Sequence, residues 1–446
     1  MGTKTVIQFI NHASIKITCA DVSLLCDPWY EGDAFNYGWN LLIENNPSDI
    51  EKILTNINYI WISHEHPDHF SIKFFTKYKN TILDKNISIL FQETKDQRVL
   101  NYLKSFGFTT KEIPFNKKIY LAPLLNIILF KDGFYDSALL IENQNEKILN
   151  LNDCEINTLK KAEKIFDITG NIDILLTQFS YAAWKGGRDN WGWRQNAAKD
   201  KIATIRMQAS VFKPKYIIPF ASYIYFSNEL NSYLNDSINS PQMVHDELID
   251  LTSKIIILKP YDIFDGTLFE YKKNIEFWNM VYKNINSLSK NKYRIFSFNE
   301  IQSAYEVFRQ RIKKNNNIYL MLFINKLKFL KAFNPVKIYI EDLNITILLN
   351  IFTKNLLITD LKPDLKMPSA SLHFLLKNSF GFDTLTVNGC FEETRKNGFT
   401  DAAKTLAIEN MNNLGIRFSP KLIFNISAVI TFIIRLSKIK RKIIKK

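Results

Sequence analysis

Between Thr5 and about Asp265, short apolar runs bounded by turn-forming residues alternate with segments whose apolar positions fall at helical spacing. The apolar runs predict strands at Thr5–Ile10, Ile15–Thr18, Ser23–Cys26, Tyr59–Ile62, Ile87–Phe91, Leu124–Phe130, Ala138–Glu142, Lys147–Leu151, Ile174–Gln178 and Tyr216–Pro219. Apolar residues three and four apart predict helices at Ile72–Lys79, Lys95–Phe106, Asn157–Phe166, Ala197–Phe212 and Gln242–Lys254. The first three strands are separated by gaps of turn length, which suits an antiparallel meander. Strands followed by helices in both halves suit two sheets packed together with helices outside, an α/β architecture. This sets a first domain at residues 1–270.

A second region, residues 277–420, reads as a smaller α+β accessory domain. It opens with a helix pattern at Asn299–Lys313. Strand patterns follow at Tyr319–Phe323, Val336–Glu341, Ile345–Asn350 and Leu356–Thr359, then helix patterns at Ser369–Asn378 and Ala402–Met411. The tail, residues 421–446, is different again. Leu422–Ile434 is mostly apolar and is followed by Arg435, Lys438, Lys440, Arg441, Lys442, Lys445 and Lys446 without an acid. As a helix the apolar stretch would cover ~20 Å, too little for a ~30 Å hydrocarbon core. Two readings stand: a helix lying on an anionic membrane surface, or a terminal helix docked on the second domain.

Chemistry concentrates in Trp61-Ile62-Ser63-His64-Glu65-His66-Pro67-Asp68-His69-Phe70-Ser71, which holds half of the six histidines in the chain. The run follows directly on an apolar strand. Burying so many polar groups without partners is costly, and coordination of a metal satisfies them. Imidazole with carboxylate suits zinc, iron or manganese.

Composition is globular, with 46% hydrophobic and 13% aromatic residues. The excess of 58 Lys+Arg over 44 Asp+Glu, a net +14, favours an anionic small-molecule or glycan substrate or an acidic membrane surface. No nucleic-acid recognition motif accompanies the charge, so nucleic acid is not expected as a partner. The four cysteines, Cys19, Cys26, Cys154 and Cys390, form no CxxC pair, which argues against a disulfide framework or a cysteine metal site. The first strand pattern begins at Thr5 with no charged-then-apolar leader before it, so a cytoplasmic location is expected, peripheral on the inner face of the membrane if the tail binds lipid.

The His-x-His-x-Asp-His motif resembles the signature of the metallo-β-lactamase fold. That resemblance implies an αββα sandwich followed here by a smaller C-terminal α+β domain. It implies His64 and His66 on one metal and Asp68 and His69 on a second, with Asp68 also holding or deprotonating a metal-bound water. Asp153, directly after the strand pattern Lys147–Leu151, matches the family's bridging aspartate; an N-cap role for the following helix stays open. The family's third histidine, upstream of that aspartate, is absent, and Asp132 or Asp136 is expected to replace it with an oxygen. The last family histidine is also absent from Ile218-Pro219-Phe220-Ala221-Ser222-Tyr223. His12, at the tip of the first hairpin, corresponds to an element that lines the active site in phosphodiesterase-like members. The implied cofactor is one or two divalent ions, zinc or iron, with manganese as a further candidate.

The resemblance sharpens toward one branch. Leu25-Cys26-Asp27-Pro28-Trp29, Gly32-Asp33-Ala34-Phe35-Asn36, Gly38-Trp39, Lys131-Asp132-Gly133 and Pro219-Phe220-Ala221-Ser222-Tyr223 occur in the order seen in the metallo-β-lactamase-like part of CMP-N-acetylneuraminate hydroxylases. Those enzymes take electrons from a Rieske domain, which needs Cys-x-His and Cys-x-x-His pairs. Neither pair occurs in this sequence. The expected function is therefore a metal-dependent hydrolase of a phosphate-bearing or nucleotide-sugar/glycan-type substrate, with a place in surface-polysaccharide biosynthesis. The alternatives are an iron-dependent monooxygenase on a CMP-sugar-like substrate with a separate electron-donor protein, and a non-catalytic membrane-associated binding protein. Tyr181, Trp184, Lys185 and Arg188 are expected to form a substrate loop, with Tyr223 on the opposite wall. His245 and His373 fall on helix patterns and are expected to be structural.

Overall fold

The computed structural model describes residues 5–267, 271–327, 330 and 332–420. The expected apolar and basic tail lies outside the described residues. Two seven-stranded sheets form the first part of the chain. The first runs in the order Ile263–Phe264, Thr5–Asn11, Ser14–Cys19, Val22–Cys26, Tyr59–Ile62, Ser88–Gln92 and Thr110–Ile113. The second runs Lys254–Ile255, Tyr216–Phe220, Ile174–Gln178, Lys147–Asn150, Asp136–Glu142, Leu125–Asp132 and Ile119–Ala122. In each sheet a three-strand antiparallel meander is continued by strands that pair in parallel.

The residues explain this arrangement. Ile174–Gln178 is buried at all five positions, as a central parallel strand covered on both faces must be. One core joins the facing sides of the two sheets, with Ile7, Phe9, Ile15 and Ile17 from one and Ile127, Leu129, Leu139 and Leu149 from the other. A second core fills the outer face of the first sheet, where Ile60, Ile62 and Ile89 meet Leu54, Phe74, Phe75 and Leu103 of the helices above. Helices Leu159–Thr169 and Trp191–Phe212 cover the second sheet through Ala162, Ile165, Ile205 and Phe212. The result is the expected αββα sandwich, with an additional C-terminal region.

Helix Lys272–Lys283 straddles the expected boundary at Phe277, and Ile275 and Trp278 pack into the core between the sheets. The C-terminal region carries a five-stranded sheet ordered Leu357–Ile358, Ile345–Leu349, Val336–Ile340, Leu365–Met367 and Glu392–Glu393. Helix Phe298–Asn315 packs on it, opened by a capping box between Ser297 and Glu300. One expectation fails here. Tyr319–Phe323, read as a strand, lies within helix Ile318–Lys326: the Asn317 side chain caps Leu320 N–H, and Met321 is the one residue of that helix that is buried. Asp383–Asn388 lies in helix Gly381–Asn388. The C-terminal core also takes in Trp29, Phe35, Trp39, Tyr181, Trp184 and Leu234 from the sandwich, so apolar packing runs unbroken between the two parts.

Candidate metal centre

Strand Tyr59–Ile62 ends in a tight turn in which His69 N–H and Phe70 N–H both donate to the His66 carbonyl, at 3.0 and 2.7 Å. Ser71 then caps the following helix through Phe74 N–H. The turn folds four side chains of the motif into one cluster. His64 Nε2 lies 2.8 Å from His66 Nδ1 and 3.9 Å from Asp136 Oδ1. His69 Nε2 lies 3.4 Å from Asp68 Oδ2, which is 3.3 Å from His12 Nε2. Asp153 stands between the two groups, with Oδ2 at 3.8 Å from His64 Nε2 and Oδ1 at 3.6 Å from His69 Nε2.

The donor atoms therefore fall into two sets sharing one carboxylate. His64, His66 and Asp136 form one; His12, Asp68 and His69 form the other. In these side chains His12 Nδ1, His69 Nε2, Asp68 Oδ1 and Asp153 Oδ1 are buried without a hydrogen-bond partner. Each such group costs on the order of 1–3 kcal/mol unless something binds it. Four imidazoles and three carboxylates converging with unused lone pairs fit divalent metal ions.

Outer groups fix the imidazoles. His69 Nδ1 lies 2.9 Å from Asp27 Oδ2 and 3.2 Å from Ser63 Oγ, and Ser63 N–H donates to Asp27 Oδ1 at 2.7 Å. With Nδ1–H given to Asp27, the Nε2 lone pair of His69 faces the cluster. His64 Nδ1 is held by Ser63 Oγ at 2.9 Å in the same way.

The electrostatics fit this division. Burial lowers the His64 imidazole well below its ordinary value, keeping it neutral and able to ligate. Burial opposes charge on His69, yet Asp153, Asp68 and Asp27 hold it well above the ordinary range. Burial and the nearby Asp153 push the Asp136 carboxyl up to about 7. Burial opposes charge on His66 as well, and Asp383 raises it to about 9. Without a cation, the cluster holds protons where a metal would place charge.

Residues 6–120 match the family described as the beta-lactamase superfamily domain. The superfamily match extends into curated relatives. Over 253 residues the chain is 26% identical to a cytidine monophosphate-N-acetylneuraminic acid hydroxylase of Danio rerio, covering 53% of this chain and 41% of the relative. Over 270 residues it is 27% identical to the Mus musculus hydroxylase, covering 57% of this chain and 45% of that protein. The chain thus spans less than half the length of these two relatives. Among solved structures, it is similar to a metallo hydrolase from Ignicoccus hospitalis, with TM-score 0.43, 14% identity, and coverage of 60% of this chain and 100% of that one. It is also similar to a diiron β-hydroxylase from Streptomyces venezuelae, with TM-score 0.42, 12% identity, and coverage of 59% and 55%.

Of the two upstream aspartates, Asp136 joins His64 and His66 in a donor set, whereas Asp132 is bound to Lys161 Nζ at 2.5 Å and stays outside both donor sets. The late strand end has no ligand of its own, but Ala221 N–H donates to the His12 carbonyl at 2.8 Å. His12, with φ at +36°, thus stands beside the stretch that lacks an imidazole and points its own into the cluster. Asp153 does not cap the following helix, whose N-cap is Thr158.

The expected substrate loop is largely structural. Tyr181 is buried and donates to the Leu234 carbonyl, and Trp184 is buried among Phe391, Phe399 and Trp193. These rings fill the junction with the C-terminal region rather than lining the metal centre. Tyr223, 1% exposed, stacks on Trp278 at 4.2 Å and donates to the Pro219 carbonyl at 3.3 Å, so it too is core. Arg188 pairs with Glu392 at 3.1 Å and lies over the Tyr233 ring. Lys185 is half-buried in the same loop. His245 tilts against Tyr271, and His373 stacks on Phe296 at 3.9 Å.

Sequence reasoning left Asp27, Ser63 and Asp383 without roles. Asp27 sat in Asp27-Pro28-Trp29, directly after a strand, which is where a turn aspartate can reach the neighbouring strand end. Asp383 carried no local signal.

Proposed function

We propose that the protein is a metal-dependent hydrolase acting on an anionic, phosphate-bearing or nucleotide-sugar-type substrate. The observation that carries this reading is Asp153, which turns one oxygen toward His64 and the other toward His69. Two dications a few ångströms apart repel unless an anion lies between them, and Asp153 is placed to be that anion. His64, His66 and Asp136 would hold one ion; His12, Asp68 and His69 would hold the other.

Bound there, the ions would polarise the scissile group and lower the pKa of a water molecule. Asp68 keeps Oδ2 against His12 and His69 while its buried Oδ1 has no partner, so one oxygen stays available to orient that water and accept its proton. Burial opposes the Asp68 charge, yet His69 and His12 hold its carboxyl well below the ordinary range, so it is ionised. The chain's net charge of +14 favours the approach of an anion.

A second reading, an iron-dependent oxygenase with a separate electron donor, draws support from the hydroxylase relatives and from the three carboxylates of the donor set. Metal analysis of protein purified without chelator separates the two. Zinc or manganese together with phosphodiesterase activity supports hydrolysis. Stoichiometric iron with an oxygen-sensitive spectrum supports oxygenation and removes the first reading.

A further inference from the structure

His66 faces the cluster with Nδ1 and turns its other nitrogen away from it. His66 Nε2 lies 3.5 Å from Asp383 Oδ2, and Asp383 belongs to the C-terminal helix Gly381–Asn388. This approach is built on contacts along the whole helix. Trp184 N–H donates to the Thr386 carbonyl at 3.0 Å. Asn388 Nδ2 donates to the Phe35 carbonyl at 3.1 Å, and Asn231 Nδ2 donates to the Asn388 carbonyl at 2.7 Å. Gly38 lets the helix end come this close, because a Cβ at that position would lie 2.3 Å from Asn388 Cβ. Phe35, held beneath the helix end, packs its ring edge-on against the His66 ring at 5.5 Å.

The geometry points to Asp383 as the carboxylate that positions His66, supplied to the metal centre by the C-terminal region. This rests on the metal-centre reading given above. Asp383 accepts the Nε2–H of His66, which fixes the tautomer that leaves the Nδ1 lone pair beside His64. Asp27 serves His69 in the same manner from inside the sandwich. One imidazole of each donor set is thus braced by a carboxylate, and the second brace comes from a part of the chain more than three hundred residues away. By linkage, metal bound to His64 and His66 strengthens the docking of the C-terminal helix by the same factor that docking strengthens the metal.

The test is a titration of full-length, metal-free protein with zinc alone, reading stoichiometry and affinity for each ion. Asp383→Ala should weaken one of two ions by about 10–100-fold and leave the other unchanged. Asp383→Glu should recover part of that loss. Gly38→Val, which leaves every ligand in place but forces the helix end outward, should weaken the same ion. Above about pH 9, where the metal-free ring is neutral, the 15N shifts of His66 should report the Nε2–H tautomer in the parent and a mixture in Asp383→Ala. If Asp383→Ala and Gly38→Val, both folded by circular dichroism, bind both ions as the parent does, the positioning role is overturned and the centre itself stands. If the parent binds no divalent ion, the metal-centre reading falls and this inference with it. If either variant fails to fold, the ring shifts of Asp383→Asn decide: an unchanged tautomer overturns the role, a mixture supports it.

Discussion

Both large sheets lead a three-strand antiparallel meander into parallel strands, yet they bring different chemistry to the seam where they meet. At the tip of the first hairpin the leading sheet places His12; its counterpart places Asp136. After the third meander strand the chain makes a left-handed turn in both, at Asp27 in one and Asn152 in the other, with Asp153 next in line. After the following parallel strand the leading sheet gives Ser63 and His64, whereas the second gives Phe179 and Ser180, whose N–H groups are spent on Ser222 Oγ at 3.1 and 3.0 Å. All four imidazoles thus come from one sheet, with Asp68 beside them, while Asp136 and the shared Asp153 come from the other. The common backbone course fixes where ligands arise, and residue type at each turn decides which element they suit.

The comparison breaks most visibly at Asp153. Asp153→Ala removes the anion between the sets, so bound metal should fall from two ions to at most one per chain, with activity lost by on the order of a thousandfold or more, as elemental analysis and rate measurements would show. Asp136→His makes the two hairpin tips alike. It should keep both ions but shift preference toward zinc over manganese, read by competition between the two metals. A pH series sharpens the same point. The Asp136 carboxyl, pushed up to about 7 by burial and Asp153, must release its proton when metal binds. His66, raised to about 9, must release a proton there as well, so affinity at that half should fall with decreasing pH below about 9 and more steeply below about 7. Smallest is Tyr223→Phe, on the ligand-free strand end. It should cost about 0.5–1.5 kcal/mol in denaturant unfolding through the lost bond to Pro219 and leave metal content unchanged.

The motif residues were legible because a single turn after one strand carries them, so their convergence follows from local geometry. His12 and Asp153 were named through resemblance, and the structure places both beside the motif residues. Asp132 and Asp136 looked equivalent in sequence; their pairing across a hairpin puts Lys161 on one and His64 on the other. Tyr181, Trp184 and Tyr223 misled because aromatic residues near glycines and cations suit a binding loop and a domain junction equally well. Tyr319–Phe323 misled because a short apolar run does not distinguish strand from helix until its flanks are read, and Asn317 was the missed helix-start signal. Asp383 was invisible: nothing near it in the chain announces His66.

The placement of the donors also sets an order on biosynthesis. As the chain leaves the ribosome, every histidine of the cluster emerges well before Asp136 and Asp153, and Asp383 emerges long after both. A nascent first sheet presents imidazoles with no bridging oxygen, a loose trap for whichever soft cation is abundant. Selective loading must wait for the second sheet to dock, which makes the last steps of folding the point at which the cell's metal supply is read.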